Sequence, residues 1–138
     1  MILEQISVFV ENRVGAVADI TQTLAEAEID IKALTLADTG DFGVMRLIVD
    51  SPKKALAVLK LNETIASLTP VVVSSMGNEP GSLAKIVRSI ADAGIILEYI
   101  YAFVAREAGT AYAVIRVANA DEGNAALLKA GYGEDFKL

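Results

Sequence analysis

The chain has 138 residues and a formal net charge of −6, and it contains neither histidine nor cysteine. These absences exclude His-based acid–base chemistry, thiolate nucleophiles, disulfides and His/Cys zinc sites, while the acidic balance argues against nucleic acid or an anionic membrane surface as partner. The hydrophobic fraction of 54% exceeds that of ordinary soluble domains, which indicates an interface between two halves of the chain or between chains.

The first two predicted elements are a strand and a helix. Ile6, Val8 and Val10 recur at every second position, which is the period of a half-buried strand. Apolar residues between positions 17 and 27 fall at helical spacing. The helix is therefore expected to begin just past Gly15.

The rest of the first half predicts a hairpin, a helix and a strand. Two β-rich runs, Ile29 to Ala37 and Val44 to Val49, lie on either side of a loop of turn-forming residues. Ser51 is a suitable N-cap for a second helix with Pro52 at its first position. A closing strand is expected near residues 64–68.

The second half repeats this order. A helix is expected past Gly81, strands over Ile95 to Ala105 and Ala111 to Val117, and a last helix capped by Asn119 or Asp121. The order strand, helix, strand, strand, helix, strand predicts an α+β, ferredoxin-like βαββαβ fold, with an antiparallel sheet covered by helices on one face. The chain therefore holds two such domains in tandem.

The repeat is also visible residue by residue. Asn12-Arg13-Val14-Gly15-Ala16-Val17-Ala18 returns as Asn78-Glu79-Pro80-Gly81-Ser82-Leu83-Ala84, an offset of 66 (78 − 12). After the hairpin about three residues are inserted, so that Leu59 is expected to match Leu128. A duplicated unit of this kind predicts a fused pseudo-dimer with equivalent loops at one shared interface.

The predicted domains are residues 1–69 and 70–138, with almost no linker. The last strand of the second domain is expected from Tyr132 to Leu138. The start of the chain does not resemble a signal peptide, and the longest apolar stretch, Ile95 to Ala105, is too short for a membrane helix. A cytoplasmic location is the expectation.

Three aromatic residues, Tyr99, Tyr101 and Phe103, alternate along one predicted strand and share one of its faces. Aromatic residues on such a strand can stack on bases in RNA-binding proteins, but basic residues then accompany them. With Arg106 alone nearby, a sheet core or a dimer interface is favoured over base stacking.

The repeated turn is the feature that indicates a ligand site. A glycine between strand and helix permits a backbone conformation closed to other residues and a close approach of ligand. The N–H groups of residues 16–18, or of residues 82–84, then point out of a helix N-terminus and favour a carboxylate. The amides of Asn12 and Asn78 can donate or accept, which suits a free amino acid. The alternative is that Asn and Gly only shape the turn.

The second turn, Asn78 to Ala84, resembles the Asn-x-Pro-Gly-x-Leu turn of the ACT domain family. The first is similar, with Val14 in place of proline and Val17 in place of leucine. Ala27-Glu28-Ile29-Asp30-Ile31 and Ala93-Gly94-Ile95-Ile96-Leu97 resemble the opening of the family's second strand. The resemblance implies small regulatory modules that bind amino acids at the interface of two paired domains, in or beside enzymes of amino-acid metabolism.

The resemblance also implies that the turn of one domain faces the second strand of its partner. The second turn would then meet Asp30, whose carboxylate takes the ligand's ammonium, whereas the first turn would meet Ile96 and lose that polar partner. The expected ligand-binding residues are Asn12, Gly15, Ala16, Val17, Asp30, Asn78, Gly81, Ser82, Leu83 and Ile96.

The function predicted on this basis is a non-catalytic sensor of a free amino acid. It needs no cofactor or metal, forms a homodimer and regulates a partner enzyme of amino-acid metabolism, with acetohydroxyacid synthase as the example. Two alternatives stay open. One is a structural or oligomerisation module without a small-molecule ligand, and the other is an enzyme, which the missing histidine and cysteine disfavour.

Overall fold

The computed structural model describes residues 1–38, 40–105 and 109–133. Backbone contacts divide the chain into two compact units. The first unit comprises Glu4–Thr69, and the second comprises Met1–Leu3 with the described residues from Pro70 onward. The elements in chain order are β1 (Ile2–Glu11), α1 (Ala16–Glu26), β2 (Ile31–Asp38), β3 (Phe42–Val49), α2 (Pro52–Leu61), β4 (Ala66–Gly77), α3 (Ser82–Asp92), β5 (Leu97–Val104), β6 (Thr110–Val117) and α4 (Ala120–Lys129).

In the first unit β3 lies between β1 and β2 and pairs antiparallel with both. The β1 register runs from Ile6 opposite Leu47 to Glu11 opposite Phe42. The helices α1 and α2 contact each other and cover one face of this sheet. The buried core beneath them consists of Ile6, Val8, Val10, Ala16, Ile20, Leu24, Ile29, Met45, Leu47, Val49, Ala55 and Leu59.

The second unit repeats this arrangement with β6 between β4 and β5. The β4 register runs from Val72 opposite Ile115 to Gly77 opposite Thr110. Helices α3 and α4 contact each other and close the core. That core consists of Val72, Ile86, Ile90, Ala113, Ile115, Val117 and Leu127. The predicted α+β, ferredoxin-like fold in tandem is thereby confirmed.

The junction between the two halves is a single strand. The closing strand expected near residues 64–68 and the first strand of the next half are both parts of β4, which has 12 residues and runs through Pro70. Its start, with Thr69 bonded through its hydroxyl to that of Ser7 at 3.1 Å, belongs to the first unit. From Pro70 onward it belongs to the second.

The expected last strand, Tyr132 to Leu138, is not seen in the part that the structure describes. Tyr132 and Gly133 lie outside any strand, and residues 134–138 lie outside the described ranges. The Tyr132 side chain packs against the core of the second unit instead. Beside β4 in this unit runs the start of β1, where Val73 N donates to Met1 O at 2.8 Å.

The structure corrects the alignment of the two copies near their ends. Helix α2 begins at Pro52 and α4 at Ala120, an offset of 68 (120 − 52), so two residues are inserted rather than three. The counterpart of Leu59 is Leu127, since both are buried, whereas Leu128 is 44% exposed. Burial of the equivalent leucine fixes this register, because apolar area removed from water is the main stabilising contribution.

Helices α2 and α4, the second helix of each unit, begin directly after the predicted cap residues, but only one of these residues makes a capping hydrogen bond. Asn119 Oδ1 accepts hydrogen bonds from Asp121 N at 3.1 Å and from Glu122 N at 3.3 Å. Ser51 occupies the cap position before Pro52, yet its side chain makes no capping hydrogen bond. Among the described residues, none of the helices has the length and apolar character required to span a membrane.

Candidate functional site

The two glycine turns adopt nearly the same backbone conformation. Gly15 has φ 86° and ψ −9°, and Gly81 has φ 92° and ψ −13°. Both values lie in the left-handed region that glycine enters at little cost. A Cβ at either position would meet no atom within 4 Å, so the conformation and not the space requires glycine. The predicted starts of α1 and α3 are confirmed at these residues.

Neither helix has a side-chain cap at its N-terminus, because the N-cap residue is glycine in both. The N–H of Ala16 donates to Arg13 O at 3.3 Å and that of Ser82 to Glu79 O at 3.2 Å. These two N–H groups are used inside the turn, contrary to the expectation that they point at a ligand. The next N–H groups of each first turn have no partner within the helix and are the ones suited to an anion.

Asn12 connects the first turn to the hairpin of its own unit. Its Nδ2 donates to Gly40 O at 3.1 Å, and its backbone N donates to Asp41 O at 3.2 Å. In the second unit Asn78 N makes the equivalent backbone bond to Gly109 O at 3.0 Å. The Asn12 amide therefore connects the first turn to the hairpin loop of the same unit.

The remaining turn residues differ in exposure. Ala16 and Ser82 are buried, and Val17 packs against the core of the first unit. Leu83 is 39% exposed, and Ile96 is 81% exposed. Of these predicted site residues, Leu83 and Ile96 have side-chain surface available to a ligand.

Asp30 is held by its neighbours in sequence and across the hairpin. Its Oδ2 lies 2.6 Å from Lys32 Nζ, and its backbone N donates to Asp50 Oδ1 at 3.2 Å. The Asp30 side chain is 58% exposed. Its carboxylate therefore meets solvent while it is paired with a lysine ammonium.

The predicted site residues fall into separate groups within each unit. Asn12, Gly15, Ala16 and Val17 lie at the start of α1, and Asp30 lies past its end. Helix α1 has 11 residues, so it is about 16 Å long. Ile96 lies past the end of α3 in the same way, opposite its own turn. Within one unit, therefore, the glycine turn lies too far from the residue past the other end of its helix, Asp30 or Ile96, for both to contact one amino acid.

A cavity of about 350 Å³ lies in the first unit, beside the first turn. It was not predicted from the sequence, because its wall comes from β1, α1, the start of β3 and the loop after α2. The sequence does show that the two copies differ at this place. Phe9, Arg13 and Asp19 line the cavity, whereas their counterparts 66 positions later are Ser75, Glu79 and Lys85. The lining residues are Phe9, Val10, Glu11, Arg13, Ala16, Asp19, Ile20, Thr23, Phe42, Asn62, Glu63, Thr64 and Ile65.

The cavity arises where the chain turns toward β4. Phe9 N donates to Ile65 O at 2.9 Å, but regular strand begins only at Ala66. Glu63 has φ 57°, a left-handed conformation uncommon for a residue other than glycine. This backbone reversal after α2 leaves space beside the last residues of β1.

The rim of the cavity carries charge of both signs. Arg13 Nη2 lies 3.3 Å from Asp19 Oδ2, and Arg13 Nε lies 3.4 Å from Glu11 Oε2. Glu63 adds a third carboxylate to the lining. The side chains of Glu11, Arg13 and Asp19 are all more than half exposed, so the ion pairs between them are weak in water.

Among the described residues, no group of three acidic side chains is close enough together to hold a metal ion. Asp38, at the predicted hairpin loop, accepts from Gly40 N through Oδ1 at 2.8 Å. That contact is the local one by which Asp shapes a turn.

Comparison with known proteins gives matches over nearly the whole chain. A family model described as an ACT domain pair matches residues 1–132. Protein BT0572 from Bacteroides thetaiotaomicron is 36% identical, and its crystal structure matches with a TM-score of 0.88, over 96% of this chain and 90% of that chain. No curated protein sequence matches.

Two further solved structures share the fold at lower identity. The ligand-free regulatory subunit of aspartate kinase from Thermus thermophilus is 22% identical, with a TM-score of 0.68 over 94% of this chain and 97% of that chain. The corresponding subunit from Thermus flavus is 21% identical, with a TM-score of 0.66 over 95% of both chains.

Proposed function

The chain belongs to the ACT domain family, as a tandem pair of its domains, and on that premise we propose that it is a regulatory protein that binds a free amino acid. In this proposal it performs no catalysis itself. Occupancy by the amino acid changes its interaction with an enzyme of amino-acid metabolism. A homodimer in the cytoplasm is the proposed working form.

The observation that carries this proposal is the pair of helix N-termini behind left-handed glycines. Neither is capped by a side chain, and both begin at the same point of the repeat. Partial positive charge at such a terminus stabilises an exposed carboxylate by about 0.3–1 kcal/mol. An amino acid supplies this carboxylate together with an ammonium that a nearby acid can accept.

The proposed site combines the second turn, at Asn78, Gly81, Ser82 and Leu83, with Asp30 of a paired domain. In this site the Asp30 carboxylate is the acidic group proposed to bind the ligand's ammonium. The other turn, at Asn12 to Val17, is assigned Ile96 as its neighbour and has no such acid from a partner. We therefore expect unequal contributions from the two turns.

The partner enzyme is proposed by class. Regulatory subunits of aspartate kinase share the fold, so aspartate kinase is one candidate. Acetohydroxyacid synthase is the other, as the example that the family resemblance suggests. A pull-down with each purified enzyme, with and without amino acids, separates the two.

A ligand-free assembly module is the second candidate function, and the Asn12 bond to Gly40 favours it at the first turn.

A thermal-shift screen of the purified chain against the free amino acids tests the proposal. A ligand at about 100 times its dissociation constant adds about 2.7 kcal/mol to the stability of the folded state. We expect a selective rise for one chemical class. A flat response to every amino acid would contradict the proposal and favour the assembly module.

The proposed asymmetry is tested by Asp30→Ala and Asn12→Ala. We expect Asp30→Ala to weaken binding strongly and Asn12→Ala to have the smaller effect. Lys32→Ala is the matched control, since it breaks the same ion pair while it leaves the Asp30 carboxylate in place. Equal losses for Asp30→Ala and Asn12→Ala would contradict the asymmetry.

A further inference from the structure

The cavity of the first unit touches the first turn through Arg13 and Ala16 but takes most of its lining from other residues, and this lining has a distinct chemistry. We propose that it binds an α-amino acid with an aromatic or branched apolar side chain, held through Arg13 and Asp19. This inference rests on the proposed amino-acid binding, for which it names a ligand class and a second place of binding. It gives the first turn a ligand role that does not depend on Asn12.

The size and the apolar part of the lining suit such a side chain. A volume of about 350 Å³ is near the lower end of the roughly 300–1,000 Å³ of small-molecule sites. The rings of Phe9 and Phe42 meet edge to face with centroids 6.3 Å apart, and both remain about half exposed. Val10 and Ile20 supply buried apolar surface to the same cavity.

The charged rim matches the two charges of an amino acid. The Arg13 guanidinium can receive a carboxylate, and the Asp19 carboxylate can receive an ammonium, once the 3.3 Å contact between them opens. An exposed ion pair contributes little to stability, so this exchange costs little. The ion pair between Arg13 and Asp19 is thus replaced by two ion pairs, one from each of these residues to the ligand.

The same rim disfavours an anionic side chain. Glu11 and Asp19 both pair with the Arg13 guanidinium, and Glu63 adds a third carboxylate to the lining of the cavity. A ligand with a second carboxylate would meet this negative charge, whereas an apolar side chain would reach the phenylalanine rings. Neutral apolar amino acids are therefore expected to bind more tightly than aspartate or glutamate.

The repeat provides an internal contrast. The second copy has Glu79 and Lys85 where the first has Arg13 and Asp19, so the charges are exchanged. Ser75 stands in place of Phe9. The second copy thus keeps one acidic and one basic residue with their positions exchanged but lacks the phenyl ring, so the proposed recognition of an apolar side chain is assigned to the first copy.

The experiment is a calorimetric titration of the full chain with L-phenylalanine and L-leucine, and with two analogues of phenylalanine. One analogue, 3-phenylpropanoate, lacks the ammonium, and the other, 2-phenylethylamine, lacks the carboxylate. We expect each analogue to bind at least about tenfold more weakly than L-phenylalanine, because each loses one charge-assisted contact.

Variants then connect each charge of the ligand to one residue. Asp19→Asn should weaken the binding of L-phenylalanine about tenfold but should not weaken that of 3-phenylpropanoate, because it removes a carboxylate that competes for Arg13. Arg13→Gln should weaken the binding of both ligands, since both carry a carboxylate. Lys85→Gln is the matched control at the equivalent exposed position of α3 and should leave every affinity within about twofold. Phe9→Ser, which installs the residue of the second copy, should weaken L-phenylalanine more than L-alanine.

The outcomes separate the inference from the proposed function. Binding of an amino acid that is lost in Asp30→Ala but unchanged in Asp19→Asn, Arg13→Gln and Phe9→Ser would overturn the cavity site and leave the regulatory function standing. Absence of binding by every amino acid would overturn both. All five variants, the Lys85→Gln control included, alter exposed side chains, and their unfolding temperatures without ligand test whether they are folded.

Discussion

The two glycine turns have the same backbone and different surroundings. Gly15 and Gly81 agree in φ to within a few degrees, and each begins a helix of 11 residues. Around the first turn lie Phe9, Arg13 and Asp19, whereas the second turn has serine, glutamate and lysine at those positions. The local fold therefore depends on the glycine conformation, while the proposed ligand chemistry depends on side chains that differ between the two copies.

The ends of the helices show a second difference. Glu28 and Glu63 adopt left-handed φ angles of 55° and 57° just past α1 and α2. Gly94 and Gly131 take the equivalent places past α3 and α4, with φ angles of 73° and 91°. The first unit therefore holds two non-glycine residues in a conformation that glycine enters more easily, and one of them, Glu63, lines the cavity.

The largest predicted effect tests which leucines of the two copies are equivalent. Leu59→Ala and Leu127→Ala should each lower the free energy of unfolding by about 2–5 kcal/mol, because both side chains are buried in a core. Leu128→Ala should cost far less, since Leu128 is 44% exposed. Urea denaturation measures all three, and a larger loss for Leu128→Ala than for Leu127→Ala would show that the register is wrong.

The second prediction compares the glycine turns themselves. Gly15→Ala and Gly81→Ala should each cost about 1–2 kcal/mol of stability, since the left-handed conformation is strained for alanine. No atom lies within 4 Å of the added Cβ, so no steric difference separates the two sites. Unequal losses by thermal denaturation would contradict the claim that the turns share one backbone requirement.

The smallest predicted effect concerns the N-caps of α2 and α4. Asn119→Ala should cost about 1 kcal/mol, because two backbone N–H groups lose their acceptor. Ser51→Ala should change stability by only a few tenths of a kcal/mol, as the Ser51 side chain makes no such bond. Equal costs in paired denaturation curves would show that Ser51 caps its helix in solution.

Much of the fold was predictable because its signals are local. Alternation at Ile6, Val8 and Val10 and the glycines before α1 and α3 determine element type from neighbouring residues alone. The course of β4 was less predictable, since the sequence indicated a closing strand near residues 64–68 and a separate first strand of the second half, where the structure has one strand of 12 residues. The insertion length also required the structure, because adjacent leucines at 127 and 128 differ only in burial.

The candidate site was predictable in part. The turns and their helix N-termini followed from the repeated glycine, but the use of the Ala16 and Ser82 N–H groups within the turn depends on local geometry. The cavity depends on residues from four separate stretches of the first unit and on the left-handed Glu63. Such an arrangement leaves no periodic pattern in a single sequence.

The central claim is that this chain binds a free amino acid. Amide chemical shifts measured by NMR during a titration with L-phenylalanine and L-leucine test it most directly, and the 14.6 kDa chain suits the method. We expect saturable shifts in the first turns of α1 or α3 and along the cavity between Phe9 and Thr23. Folded protein whose amides in these segments all remain unmoved at millimolar concentrations of every amino acid would contradict it.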